Sequence, residues 1–459
     1  MRGVERSLCG WGGTSPSRAR VTRARSAEEV AEVLAGQRPA AGGVIARGAG
    51  RSYGDAAQNG GGDVIDVTGL DRILSVDPGR RLITAQAGVT VAQLMVGLAR
   101  HGLGLPVVPG TRYITLAGAI ASDIHGKNHH QDGGFGRHVC SLSLCTPTGG
   151  CVEVSPEADP ELFHATLGGM GLTGVIVQAT LRVEPLAAPW VLADVDRTEG
   201  FEQTLALMAG KERHRYSVAW LDLLAGGQRM GRAVVSRADP WPSGRATEPP
   251  RGLGRMRGPY PASLTRRPVL DVPSGFPAAL LRPAGVRAFN ALHWRTAPRR
   301  ERERPLALAP YFFPLDGLGK WNRLYGSAGM IQYQFVIPVG REAALLRCVE
   351  LLRTRRLPVY LAVFKRLGAA SGGPLSFPLD GWTLAIDLPA AWPGLRWALD
   401  ELDELVAGSG GRVYLSKDAR LGRDAMAAMY PELDRFHDLR ARVDPDGVLR
   451  SDLSRRLGL

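Results

Sequence analysis

Two stretches concentrate the groups that could do chemistry. The first, VIARGAGRSYGDAAQNGGG at 44–62, has glycine at 48, 50, 54, 60, 61 and 62. Glycine admits positive φ and lets successive amide N–H groups converge on one anion, which is how a chain cradles a phosphate. The spacing G-x-G-x-x-x-G is not the dinucleotide fingerprint of doubly wound sheets, and the polar run that follows does not open an amphipathic helix. A phosphate cradle and an ordinary surface loop both fit these residues. The second stretch, GLPVVPGTRYITLAGAIASDIHGKNHH at 104–130, sets small residues at 117–119, 121, 122 and 126. Backbone there is open to a flat ring, or else forms a buried Ala-Gly turn. It ends with His125, Lys127, His129 and His130 inside six residues. No carboxylate or cysteine completes a metal-ligand spacing around these histidines, so no metal site is expected.

Charge adds a third signal. The chain has a formal net charge of +13, and of its 57 basic residues only 127, 211, 320, 365 and 417 are lysine. In so arginine-biased a chain, a lysine is less readily generic surface charge. The excess suits an anionic partner: nucleic acid, lipid headgroup or phosphorylated substrate. No aromatic-basic interleaving accompanies the arginines, so nucleic acid is not expected.

These residues need a scaffold, and 459 residues of 44% hydrophobic and 22% charged composition suffice for two soluble domains. The five cysteines make no CxxC pair, which argues against a disulfide framework and for a reducing compartment. The arginine-rich N-terminus has no apolar signal core, and no apolar run approaches the roughly 18 residues of a membrane span. Any membrane contact is expected to be peripheral, on an undetermined side.

Periodicity predicts a helix over 26–35 capped by Ser26, short strands in DVIDVTGL and in ILSVDPGRRLITAQ, and a helix in TVAQLMVGLARHG ended by Gly102. A hairpin over 139–154, a helix from Asp159 and a glycine-rich corner at 168–174 lead to a strand ending near Pro185. A first domain of 1–188 closes there. Over 189–410, WVLADVD, YSVAWLDLL, RAVVSR, IQYQFVIP, LPVYLAVFKRLG and WTLAIDLP read as strands, and EAALLRCVELLRTR as an amphipathic helix. A Pro/Arg/Gly-rich segment at about 240–305 shows little periodicity beyond a short helix near 285–294 and is expected to be mobile. Its Trp241, Phe276, Leu280, Leu281 and Trp294, set among arginines, suit a lipid tail beside anionic headgroups. The segment 411–459 is a strand followed by charged helices.

The glycine loop, the 104–130 stretch, ELFHATLGGMGLTGVI and the closing YP…VDPDGVLRSDLSRRL together resemble the vanillyl-alcohol-oxidase type of FAD-dependent oxidoreductase. The likeness covers almost the whole chain and is weakest between 240 and 305. It implies a two-domain α+β fold in which the N-terminal portion and C-terminal tail bind FAD and an antiparallel sheet covers the flavin. The loop of Ala46, Arg47, Gly48, Ala49, Gly50, Arg51, Ser52, Tyr53, Gly54, Asp55 and Ala56 would hold the pyrophosphate. Gly110, Thr115, Leu116, Ala117, Gly118, Ser122, Asp123, Ile124 and His125 would line the flavin, and Ile176 and Tyr414 would complete its site. Tyr53 stands where many relatives carry a flavin-linking histidine, so the FAD is expected to be noncovalent.

Within that family the likeness is strongest to the branch that oxidises the ribose 2′-hydroxyl of decaprenylphosphoryl-β-D-ribose. It implies a polyprenyl-phosphate sugar as substrate and an NADH-dependent 2′-keto reductase as partner, which together supply arabinose for the cell wall. Lys417 would be the cation facing charge that develops on the flavin, and His125 would pack on the ring or move a proton. Lys127, Gln332, Gln334, Lys365 and Thr383 would line the sugar and phosphate, with Trp220 and Phe312 as apolar walls. Thr383 and Leu367 depart from the branch's polar and aromatic residues. The alternative on the same fold is an alditol or aldonolactone oxidase.

Overall fold

The computed structural model describes residues 3–37, 42–210, 214–242, 264, 268, 270–277 and 281–459. Its helices and largely antiparallel sheets form the expected α+β architecture.

The first sheet has four strands in the order Val4–Leu8, Ser17–Arg23, Asp63–Asp66, Val44–Arg47. The last three run parallel, so the chain leaves Val44–Arg47 at the sheet's end and turns straight into the glycine loop. A five-stranded antiparallel sheet follows, ordered Ile73–Asp77, Leu82–Gln86, Val175–Arg182, Val139–Thr146, Gly150–Val154. Ser26 caps its helix as expected, accepting from Glu29 N, and the helix begun at Asp159 is capped by that residue, which accepts from Leu162 N; Thr90 and Gln93 add a capping box that the sequence reading did not name.

The C-terminal tail returns to this half. Val44 N–H donates to Val448 O at 2.8 Å and Arg450 N–H to Val44 O at 2.9 Å. Arg456 clasps Asp55 at 2.7 Å, tying the last helix, Asp452–Leu457, to the glycine loop.

Residues 190–413 supply an eight-stranded antiparallel sheet, ordered Arg300–Ala307, Trp190–Thr198, Arg232–Pro240, Tyr216–Asp222, Leu361–Leu367, Gly381–Pro389, Met330–Pro338, Arg412–Val413. The amphipathic helices Glu342–Thr354 and Leu395–Gly408 pack on each other and bury Leu345, Leu352, Leu399 and Leu402 in the main core.

Two expectations need correction. Cys145 and Cys151, directly opposed on the hairpin strands, form a disulfide with Cα atoms 3.8 Å apart. Six residues apart in sequence, the two cysteines meet only because the hairpin register pairs them across the strands. The segment expected to show little regular structure beyond a short helix near 285–294 has that helix, Pro283–Thr296, but also the unanticipated edge strand Arg300–Ala307. RERER hides that strand because its alternating charges face solvent at an unpaired edge, where they discourage further pairing. Leu280 and residues 243–263 of that segment lie outside the described residues.

Candidate active site

A cavity of about 300 Å3 lies between the glycine loop, the 104–130 stretch and one face of the eight-stranded sheet. Its first wall is the loop. The amides of Ala49, Gly50, Arg51 and Ser52 have no backbone or side-chain acceptor among the described residues, although the loop itself is anchored through Tyr53 N–H to Ser416 O at 2.9 Å. Gly54 lies so close to the 418 backbone that a Cβ would sit 1.8 Å from Asp418 O. The arc of free donors is therefore held open by contacts outside it.

The second wall is the short helix Leu116–Ala121, capped by Thr115. Leu116, Ala119 and Ile120 face the core, leaving Ala117, Gly118, Ala121 and Ser122 on the cavity. Just past it Asp123, at φ +37°, accepts from Gly136 N–H at 2.9 Å and from Ser376 Oγ, and so pins the corner that presents His125.

The third wall is built by register. Cross-strand pairing sets Gln332 opposite Asp387 and Asp387 opposite Leu361. It likewise sets Gln334 opposite Ala385, Ala385 opposite Val363, and Thr383 opposite Lys365. Paired positions share a face, and alternation brings every second residue to it. Gln332, Gln334, Lys365, Leu361, Val363 and Ala385 line the cavity, and Lys417 enters from the segment after Arg412–Val413.

Two hydrogen-bond chains order the polar groups. Thr383 Oγ donates to Phe335 O at 2.8 Å, Gln334 Nε2 donates to Thr383 Oγ at 3.1 Å, and the same amide meets His125 Nε2 at 2.8 Å. Gln334 is the donor throughout, so His125 accepts at Nε2 and carries its hydrogen on Nδ1, which has no partner. Burial, then Lys365, His129 and Lys417, push the imidazole pKa well below its usual value, so the ring is neutral. In the second chain Lys417 donates to Gln332 Oε1 while Gln332 Nε2 donates to Asp387 Oδ1. Burial lowers the Lys417 pKa against the pull of Asp387, and burial raises that of Asp387. The ammonium lies 4.0 Å over the Tyr53 ring. Burial brings Lys365 down to about 8.

A family model described as "FAD binding domain" matches residues 18–155, and one described as "D-arabinono-1,4-lactone oxidase" matches residues 393–457. Over 98% of its length the chain is 40% identical to the decaprenylphosphoryl-beta-D-ribose oxidase of Mycolicibacterium smegmatis, covering 97% of that protein. The chain belongs to the vanillyl-alcohol-oxidase type of FAD-dependent oxidoreductase. It is also 39% identical over 80% of its length to an uncharacterised protein of Streptomyces coelicolor, 99% of which is covered. A more distant relative is the L-gulono-1,4-lactone dehydrogenase of Mycobacterium tuberculosis, 26% identical over 95% of each chain.

FAD is the cofactor of this family, and the walls suit it. Unpartnered loop amides answer a pyrophosphate, and small side chains leave a flat surface for a ring. Gly110, where a Cβ would meet nothing within 4 Å, adds open backbone.

Of the residues anticipated for the cofactor, Ala46, Gly48, Ala49, Gly50, Arg51, Ser52, Tyr53, Ala56, Gly110, Thr115, Ala117, Gly118, Ser122, Ile124, His125, Ile176, Tyr414 and Lys417 line the cavity. Arg47, Gly54, Asp55, Leu116 and Asp123 do not. Arg47 holds Ala57 O and Cys9 O, each at 2.9 Å, while Asp55 serves Arg456 and Leu116 is core.

On the substrate side Gln332, Gln334 and Lys365 line the cavity, whereas Thr383 lies behind Gln334. Lys127, half-buried, lies 4.0 Å over the Tyr311 ring and donates to Tyr311 O, away from the cavity. Phe312 belongs to an apolar cluster with Tyr216 and Phe313. Trp220, opposite Val363, meets His293 beyond the cavity. His129 accepts from Gly368 N–H at 3.0 Å, and His130 is hydrogen-bonded to His214 O at 3.1 Å, so both fasten the stretch to its neighbours.

Asp387 escaped the sequence reading. Its signal was an acid inside WTLAIDLP, in register with Thr383 and Ala385. Trp11, Trp321 and Asp316 also line the cavity, and nothing in their local sequence marks them.

Proposed function

We propose that the chain oxidises the 2′-hydroxyl of decaprenylphosphoryl-β-D-ribose to the ketone, with the loop amides of Ala49 to Ser52 holding the FAD pyrophosphate and Ala117, Gly118, Ser122, His125 and Ile176 lining the ring. The supporting observation is the cavity's third wall, where Lys365 and Lys417 stand beside Gln332, Gln334 and His125. Two half-buried amines answer an anionic substrate, and the two amides offer the paired donors and acceptors that fix a sugar's hydroxyls.

FAD, when bound, supplies the hydride acceptor. The chain's residues bind, orient and exclude water. Gln334, locked between Thr383 and His125, keeps the imidazole neutral with Nδ1–H as a donor. Lys417, steered by Gln332, places a cation at the wall and accepts or releases a proton at Nζ close to neutral pH.

The same reading supplies partners. A 2′-ketone calls for a separate NADH-dependent reductase to complete epimerisation for cell-wall arabinan, and a polyprenyl tail calls for peripheral membrane contact. No helix of the described residues is long and apolar enough to cross a membrane.

Turnover of decaprenylphosphoryl-β-D-ribose with a dye as electron acceptor tests the proposal. The ketone should form, and adding the reductase with NADH should yield the arabinose epimer. Aldonolactone consumed while the ribose lipid stays intact would instead establish the lactone-oxidase reading, whose family model matches residues 393–457.

A further inference from the structure

The helix Pro283–Thr296 is oriented against the usual rule for a surface helix. Its inward face is held by polar contacts: Asn290 Nδ2 donates to Asp222 Oδ1 at 3.1 Å, Trp294 Nε1 to Thr198 O at 3.0 Å, and Arg287 Nε to Leu224 O at 3.2 Å. Its outward face carries Phe289 and Leu292, 64% and 62% exposed. Phe289 lies parallel to the His293 ring at 6.2 Å, which extends the apolar patch along the helix. A globular protein gains nothing by showing such side chains to water while polar groups face inward.

Charge selects the partner. Residues 281–300 contain no aspartate or glutamate and five arginines, at 282, 287, 295, 299 and 300. Downstream, Arg302 pairs with Asp196 and Arg304 with Glu301, whereas none of those five has a carboxylate partner among the described residues. Two exposed apolar side chains on a helix rimmed by unpaired arginines fit an anionic bilayer: the apolar residues enter the acyl boundary and the guanidinium groups meet phosphate. Trp241 and Trp294, anticipated as lipid contacts, do not serve. Trp241 is buried with Trp190 and Ala307, and Trp294 lies under Arg197 and Arg232.

The helix also leads toward the site. At its N-terminal end Leu281 O accepts from Tyr360 Oη at 2.9 Å. Leu281 and Tyr360 line a second cavity of about 240 Å3 with Tyr325 and Trp392. Tyr360 immediately precedes the strand Leu361–Leu367, whose first residue lines the first cavity, so consecutive residues border the two.

We propose that the helix Pro283–Thr296 docks on an anionic membrane surface through Phe289 and Leu292, with the neighbouring arginines on the headgroups. The proposal rests on the lipid-substrate reading above, and it places the aromatic-lined cavity between bilayer and catalytic cavity as a passage for the tail.

Flotation of the full chain with vesicles tests it. Wild type should float with vesicles of phosphatidylglycerol and phosphatidylcholine and stay behind with phosphatidylcholine alone. Phe289→Ser with Leu292→Ser should cut partitioning by about tenfold or more. Each of Arg295→Gln and Arg299→Gln should weaken it about fivefold and flatten its salt dependence. All variants should keep wild-type turnover of a short-chain, water-soluble substrate analogue. If the analogue is turned over but wild type does not float, or the variants float like wild type, the docking proposal falls while the functional reading stands. Loss of coupling to the reductase with unchanged flotation would assign the patch to a protein partner and also overturn it. If neither lipid substrate nor analogue is turned over by wild type, the functional reading has failed, whatever the vesicles show.

Discussion

Asp387 and Lys417 face each other across a single amide. Gln332 accepts from Lys417 at Oε1 and donates to Asp387 from Nε2; the carboxylate is buried and the lysine half-buried. A lone buried ammonium is costly, and a buried carboxylate one amide away offsets part of that cost. The arrangement fixes the Gln332 amide orientation and with it the direction of Lys417 Nζ.

Lys417→Ala should therefore fold and retain FAD while losing most activity. Removing one electrostatic stabiliser of a developing charge typically costs about 2.7–4 kcal/mol, roughly a hundred- to a thousandfold in rate. Lys417→Arg should restore only part, because its planar fork is larger and aims differently. Flavin absorbance of the purified variant and its turnover number check the two halves separately. A variant with near wild-type turnover would make Lys417 structural and leave Lys365 or His125 to supply the charge.

Asp387→Asn keeps the shape of that chain and removes its charge. The wild-type carboxylate raises the Lys417 pKa against burial, while Lys365 lowers it; Tyr53, Tyr325 and His125 also face the pair, and none of them changes. Without the carboxylate, Lys417 loses its proton at lower pH. The alkaline limb of the kcat/KM profile should shift down by about one unit, the lower end of the effect of an opposite charge. A lower plateau with an unmoved limb would mean that Asp387 only packs.

Glycine contacts separate scaffold from cofactor. At Gly54 a Cβ would lie 1.8 Å from Asp418 O, and backbone cannot swing aside. Gly54→Ala should destabilise the chain by about 1–3 kcal/mol, as overpacking does. Gly110 lines the cavity with nothing within 4 Å of its missing Cβ. Gly110→Ala should leave the melting temperature of the cofactor-free protein unchanged and weaken FAD binding. Differential scanning fluorimetry with and without added FAD distinguishes the two.

Local signals made much of this architecture legible. The glycine loop, the Ser26 cap, the helix start at Asp159, and the strands IQYQFVIP and WTLAIDLP stand where periodicity and turn chemistry put them. What escaped depends on partners distant in sequence. The N-terminal strands Val4–Leu8 and Ser17–Arg23 are mostly polar or exposed and take their form from pairing with each other and with Asp63–Asp66. The helix Leu395–Gly408 was not anticipated despite its amphipathic stripe. Asp387 is an odd acid in a strand until register sets it opposite Gln332. Lys127 shows the converse: a rare lysine in a reactive-looking stretch, it is spent on Tyr311.

The remaining prediction concerns the link between protein and cofactor. A covalent flavin bond needs a nucleophilic side chain at the cavity, and the loop offers Tyr53 where an imidazole would be required. The Tyr53 ring lies under Lys417 at the cavity wall, and desolvation of its hydroxyl followed by the nearby Asp387 carboxylate raises the hydroxyl pKa well above normal, so it is protonated and a poor nucleophile. His125 does line the cavity, but Gln334 occupies its Nε2 lone pair and the hydrogen sits on Nδ1. Among the described residues no cysteine lines the cavity. Acid precipitation of the yellow protein should therefore release all flavin into the supernatant. Colour retained in the pellet would mean that one of these two side chains is bonded to the flavin, and peptide mapping of the Tyr53→Phe and His125→Ala variants would show which.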